Sequence, residues 1–363
     1  MTNAGASDDG EGKGFAWCAL SMPSIQQNYE RWQQHEWRQS GDEWSPGRSA
    51  EGTAVLWTRT ILPRIEKYLP GSTVLEVGPG FGRWTEFLRR YVKELVLVDL
   101  SDRCIDSCRR RFASDTRIRY LVNDGASLEG VPDSSIDFLF SFDSLVHAEA
   151  DAIGAYLGQA GRILKRGGAG FIHHSNLGAF VRRRNGRVPW FVTRQHWRGA
   201  SMSADVFADQ CRLAGLRCRS QELINWIGRE RDGDRHHLPG PCMPLIDCLS
   251  VFTNEPPVDE RPIQILNHGF VDEWRQAVWM ADVYYRAAHP ETVVRPAPTG
   301  SNSAASRKLA TARALWSEAG CLGILEHAWR RTCEGAESML SAGAAYVAGE
   351  ANRWFLTHRL QRH

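Results

Sequence analysis

Between residues 73 and 253, short apolar runs alternate with longer amphipathic stretches. Val74-Leu75-Glu76-Val77, Leu95-Val96-Leu97-Val98, Ile118-Arg119-Tyr120-Leu121-Val122 and Ser135-Ile136-Asp137-Phe138-Leu139-Phe140-Ser141-Phe142 read as buried strands, and Gly170-Phe171-Ile172 opens a fifth. Runs of roughly four to eight apolar residues bounded by turn residues suit strands rather than helices. Strand and helix in alternation predict a parallel sheet with right-handed crossovers. Arg217–Ile224 and Asp247–Phe252 read as two closing strands. Ser24–Trp37 and Ala50–Tyr68 read as helices ahead of the first strand, the second ending before Pro70. Ser203–Ala214 reads as another, with Ser203 as N-cap and Gly215 as stop. From Pro256 the composition changes to linker-like Pro/Ser segments and Ala-, Leu-, Glu- and Arg-rich stretches, Val271–Ala288 and Ser306–Leu356. Leu315, Leu322 and Trp329 recur every seventh residue, too few positions to define a coiled coil. The organisation expected is a disordered tail over 1–23, covering helices over 24–72, a core over 73–255 with an insertion at 176–201, and a helical extension over 256–363.

The junction after the first strand narrows the chemistry. Val77 runs into Gly78-Pro79-Gly80-Phe81-Gly82, and Asp99 closes the second strand twenty-one residues after Gly78. Glycines let a backbone pass close under a ligand, a helix start offers free N–H groups, and an acid ending the second strand can accept hydrogen bonds from ribose hydroxyls. The spacing is G-x-G-x-G, whereas a dinucleotide fingerprint places its third glycine one position later. Glu76 sits two residues before the first glycine.

This E-x-G-x-G-x-G pattern resembles motif I of the class I S-adenosylmethionine-dependent methyltransferases. The resemblance continues through Asn123-Asp124-Gly125 after the third strand and Asp143 after the fourth. It implies an α/β fold: a Rossmann-like seven-stranded sheet, mostly parallel with the last strand antiparallel, here followed by an α-helical C-terminal extension. It implies S-adenosylmethionine as cofactor, held by Glu76, Gly78, Gly80, Phe81, Asp99, Asp124 and Gly125. Ile61-Leu62-Pro63-Arg64-Ile65, Gly80-Phe81-Gly82-Arg83-Trp84-Thr85, Phe140-Ser141-Phe142-Asp143-Ser144-Leu145-Val146-His147-Ala148-Glu149 and Phe171-Ile172-His173-His174-Ser175-Asn176 further resemble a bacterial subgroup associated with surface-polysaccharide synthesis and sugar O-methylation. The likeness covers roughly Trp44 to Thr253.

Composition excludes some alternatives. With 363 residues and a net charge of +2, the chain exerts no global pull on nucleic acid or anionic membrane. Nine scattered cysteines without a C-x-x-C pair fit reduced thiols and a cytoplasmic location. The polar, acidic Met1–Gly14 segment does not read as a signal peptide, and no apolar run approaches the roughly 20 residues that span a bilayer. Fourteen tryptophans suit stacking on sugar faces, or hydrophobic contacts between the core and its added helices.

Methyl transfer to a sugar hydroxyl requires positioning of the acceptor and removal of its proton. His147 is the first candidate for general base, oriented by Asp143 or Glu149. His173 and His174 end the fifth strand, where alternation lets only one face the crevice. His174 is a candidate for catalysis and His173, with Glu149, for substrate binding. Asp143 is a candidate ligand for a divalent metal such as magnesium, a role left open. The Arg-rich insertion, with Arg184 and Arg187, suits an anionic or lipid-linked glycan. The expected partners are a glycan substrate and a homo-oligomer or glycosyltransferase reached through the C-terminal helices, with no nucleic acid. Another small-molecule acceptor and a cofactor-binding scaffold are the alternatives.

Overall fold

In the computed structural model, the described residues are 17–19, 23–37, 39–45, 48–181, 187–189, 197–225, 244–271, 273, 274, 277 and 280. The expected C-terminal helices fall largely outside them. The strands are β1 (Trp17–Ala19), β2 (Thr73–Val77), β3 (Glu94–Asp99), β4 (Ile118–Val122), β5 (Ile136–Ser141), β6 (Leu164–Ser175), β7 (Arg187–Pro189), β8 (Arg217–Ile224), β9 (Asp247–Thr253) and β10 (Ile263–Asn267). The helices are α1 (Ile25–Gln34), α2 (Ala50–Leu56), α3 (Leu62–Ile65), α4 (Thr85–Leu88), α5 (Asp102–Arg111), α6 (Ala150–Ile163) and α7 (Ala204–Leu213).

Eight strands form one sheet in the order β10-β8-β9-β6-β5-β2-β3-β4. β4, β3, β2, β5 and β6 run parallel, while β9 lies antiparallel to both β6 and β8. From β2 the chain winds outward to β3 and β4, then crosses back to β5, so the sheet reverses direction of travel beside β2. Crevices outside the carboxyl ends of strands at such a reversal are where open α/β sheets bind ligands. The seven-stranded expectation is corrected by β10, which adds to β8 in parallel. Its side chains are mostly exposed, so it lacks the continuous apolar run that marks the inner strands. A separate antiparallel ribbon pairs β1 with β7.

Alternation along the strands feeds two cores. Val74, Phe138, Phe140 and Phe171 join Leu56, Trp57, Ile61 and Trp84 on one face. Leu75, Val96, Leu139 and Ile172 join Ile153, Leu157 and Phe207 on the other. Ser24, Ser49, Ser101 and Ser203 cap α1, α2, α5 and α7 through hydrogen bonds from backbone N–H groups. One π-helical stretch, Trp57–Ile61, joins α2 to α3. There the Leu62 N–H reaches back to the Trp57 carbonyl, just before Pro63, which cannot donate at all. Arg64 on α3 binds Glu222 through two hydrogen bonds of 2.6 and 2.7 Å and Glu273 through two of 2.7 and 2.9 Å, tying the helix to β8. No described helix is long and apolar enough to cross a membrane.

Candidate functional site

The glycine loop after β2 lies at the switch point. Gly78, Gly80 and Gly82 have φ of 73°, 57° and 85°, conformations that a side chain disfavours. The Gly78 N–H donates to the Val98 carbonyl at 2.8 Å, and the Gly80 N–H donates to Asp99 Oδ2 at 3.1 Å. Asp99 Oδ1 accepts from the Ser101 N–H at 2.9 Å. Burial pushes Asp99 up to about 6 despite these amides. Glu76 is fully buried, and Oε2 accepts the Thr85 hydroxyl at 2.6 Å while Oε1 has no hydrogen-bond partner. Burial raises its pKa to about 8.

α1 crosses these loops like a strap. A Cβ at Gly125 would meet Ile25 at 2.7 Å. Gln33 accepts the Ser101 hydroxyl at 2.7 Å and donates to Asp102 at 2.7 Å. Asn28 donates to the His147 carbonyl at 2.7 Å and accepts the Trp197 indole N–H at 2.8 Å. Beyond the helix, Trp37 stacks on Phe81 with centroids 4.9 Å apart, and a Cβ on Gly80 would meet its ring at 2.8 Å. Asp124 is exposed, and its carboxylate accepts the Ala126 and Ser127 N–H groups, which lower its pKa.

The opposite wall is ionic. Asp143, at φ 60°, accepts from Arg83 Nη2 at 2.8 Å, and both side chains are largely buried. The Asp143 N–H donates to His173 Nδ1 at 3.2 Å. His173 Nε2 lies 3.7 Å from Asp247 Oδ2, and Arg198 grips Asp247 with bonds of 2.8 and 2.9 Å. Burial, the largest single influence, would raise Asp247, but Arg198 and His173 together outweigh it and hold the acid at about 2. His147, buried in the turn after Asp143, bonds through Nδ1 to the Trp197 carbonyl. A carbonyl only accepts, which places a proton on Nδ1. The Trp32 ring lies 5.2 Å from the imidazole.

Several expected roles change with this geometry. His174 does not face the crevice. Its ring stacks on Phe207 at 4.4 Å, its nitrogens contact Ser175 and Ser250, each at 2.8 Å, and burial lowers its pKa to about 4. With both nitrogens and a ring face engaged inside the protein, His174 packs β6 against β9 and α7 rather than meeting a substrate. Glu149 is occupied by the N–H groups of Ala200 and Ser201 and the Ser201 hydroxyl, so it braces the 197–201 segment rather than a substrate. Asp143 is committed to Arg83, and no cluster of three or more His, Cys, Asp or Glu among the described residues could hold a metal. Arg184 lies outside the described residues. Arg187 is described only as backbone, opposite Ala19 in the β1–β7 ribbon. Arg198, one of the arginines of the 176–201 insertion expected to form a substrate lid, is instead bound to Asp247. Arg83 has a local signal in the sequence, standing directly after the third glycine, and Asp247 has none.

Residues 74–168 match the family model described as a methyltransferase domain. Over 85 residues the chain is 33% identical to the ribosomal RNA small subunit methyltransferase A of Geobacter sulfurreducens, covering 23% of this chain and 31% of that enzyme. The Geobacter metallireducens enzyme of the same name is 35% identical over 80 residues, 21% of this chain and 29% of that protein. The chain thus spans about a third of the length of these curated relatives. A Mesorhizobium loti S-adenosylmethionine-dependent methyltransferase structure aligns over 56% of this chain and 100% of its own, at 15% identity and TM-score 0.41. A Haloferax volcanii putative methyltransferase, in complex with the Trm112 activator, aligns over 61% and 100%, at 19% identity and TM-score 0.42. The glycine loop, Glu76 and Asp99 all fall within residues 74–168, the stretch that matches the methyltransferase domain model.

Proposed function

We propose that this chain transfers the methyl group of S-adenosylmethionine to a sugar hydroxyl of a glycan or glycan precursor, with His147 as general base. The observation that carries the reading is His147 itself. It follows β5 at the crevice, its Nδ1 is tied to the Trp197 carbonyl, and the Trp32 ring lies 5.2 Å from its imidazole. Hydroxyl acceptors need a base, and sugar faces stack on indoles.

The cofactor supplies an activated methyl group. The glycine backbone and Asp99 suit its nucleoside, and Gly125 and Phe81 lie beside that loop under α1. Glu76 Oε1 and Arg83 Nη1 are both buried without a hydrogen-bond partner. One acceptor and one cationic donor left unmatched suit the ammonium and carboxylate of an amino-acid end. Asp124 serves as an acid at the loop where the adenine would lie. The likeness to the Geobacter ribosomal RNA enzymes favours RNA as a second acceptor class.

The test is transfer of labelled methyl from S-adenosylmethionine to nucleotide sugars, oligosaccharides, lipids and RNA, with and without EDTA. Label on carbohydrate alone, unaffected by EDTA, is expected. Label confined to RNA would replace the glycan reading, and label on lipid alone would also contradict it.

A further inference from the structure

Asp143 stands at a junction. Its φ of 60° lies in the left-handed region, which a non-glycine residue keeps only when its surroundings hold it there. Two contacts converge on it, and a third falls on its neighbour. Arg83 binds its carboxylate at 2.8 Å, His173 Nδ1 accepts its N–H at 3.2 Å, and the next residue, Ser144, abuts Gly78 so closely that a Cβ there would sit 1.9 Å from Oγ. The direction the chain takes through Asp143 therefore fixes how the turn carrying His147 meets the glycine loop.

His173 can hold that N–H only while Nδ1 is unprotonated, which leaves the ring hydrogen on Nε2. Nε2 faces Asp247, 3.7 Å away, and Asp247 is held in turn by the paired bonds from Arg198. Carboxylates of this kind orient imidazoles elsewhere by selecting their tautomer. The register sets the arrangement: His173 stands opposite Leu249 on β9, while Asp247, two residues earlier, begins that strand.

We infer that His173, held in one tautomer by the Asp247–Arg198 pair, is a positioning residue that pins the backbone of Asp143 and so holds Arg83 and the glycine loop in register with the turn bearing His147. The inference rests on the cofactor reading above. It concerns neither proton removal nor substrate contact, since His173 is wholly buried.

The experiment is titration of S-adenosylhomocysteine into wild type, His173→Phe, His173→Asn and His173→Gln, with melting temperature as the folding control. Asn offers its carbonyl where Nδ1 stood, Gln offers its own nearer Nε2, and Phe offers nothing. A displacement of about 1 Å in such a site costs up to about a hundredfold. We expect His173→Phe and His173→Gln to weaken binding by about tenfold or more, and His173→Asn to stay within about threefold of wild type. Nitrogen-15 spectra of labelled histidine should show His173 as the Nε2–H tautomer in wild type and lose that signature in Asp247→Asn. If His173→Phe does not fold, the Asn-against-Gln contrast carries the same test. Equal binding by the folded variants overturns the inference while leaving the cofactor reading intact. A wild type that binds no S-adenosylhomocysteine removes both.

Discussion

On the β2–β3 side of the crevice, Glu76 and Asp99 are buried acids whose hydrogen-bond partners are a hydroxyl and backbone amides; on the β6–β9 side, Asp247 is equally buried but gripped by Arg198. The outcomes are opposite. Burial carries Glu76 to about 8 and Asp99 to about 6, while Asp247 stays at about 2 because a cation was built in beside it. On the proposed cofactor reading, the difference separates a wall completed by its ligand from a wall finished on folding. The first must keep acceptors in reserve, at a cost in the free protein. The second can be rigid, and so can set the place of the groups that act.

The largest effect should come from breaking the finished wall. Asp247→Ala removes the carboxylate that takes the paired bonds of the buried Arg198, which should cost about 3–5 kcal/mol in denaturant unfolding. Replacing both partners, as in Asp247→Leu with Arg198→Met, should recover most of that loss. A single variant within about 1 kcal/mol of wild type would show that the pair does not hold this wall.

The cofactor wall should respond to pH instead. A carboxyl raised on folding binds its proton more tightly in the folded state, so its stabilisation is present below the ordinary value of 4.5 and is lost as pH rises through about 8. Ligand-free protein should lose up to about 5 kcal/mol over that range from Glu76. Glu76→Gln should flatten the profile, read as melting temperature against pH. If Glu76→Gln follows the wild-type slope, the acid is not poised in this way.

The smallest effect concerns the glycine loop. Gly80→Ala places a side chain at φ 57°, with its Cβ 2.8 Å from Trp37, and should cost about 1–2 kcal/mol. Trp37→Ala should relieve the contact and leave only the backbone part of that cost, which thermal melting of the double variant would resolve.

How much of this was legible in the sequence follows the same division. Glu76, Gly78, Gly80 and Asp99 come from two consecutive strand ends, so local spacing exposes them. The finished wall joins Arg83, Asp143, His173, Arg198 and Asp247 from separate segments, and no short motif contains the set. Alternation established that His173 and His174 oppose each other, but which one faces the crevice depends on the pairing of β6 with β9. Glu149 was misread because an acid before a helix serves equally as ligand or brace, and only the folded 197–201 segment decides. β10 escaped because exposure removes the apolar pattern by which strands are recognised.

The proposed role of His147 is removal of the acceptor proton beside a bound cofactor. The most direct test compares wild type with His147→Ala, measuring labelled methyl transfer to carbohydrate and S-adenosylhomocysteine affinity on the same preparations. The account predicts a loss of transfer of about 10²–10⁴-fold with affinity unchanged within about threefold. Transfer at the wild-type rate by a variant that binds S-adenosylhomocysteine normally would contradict it.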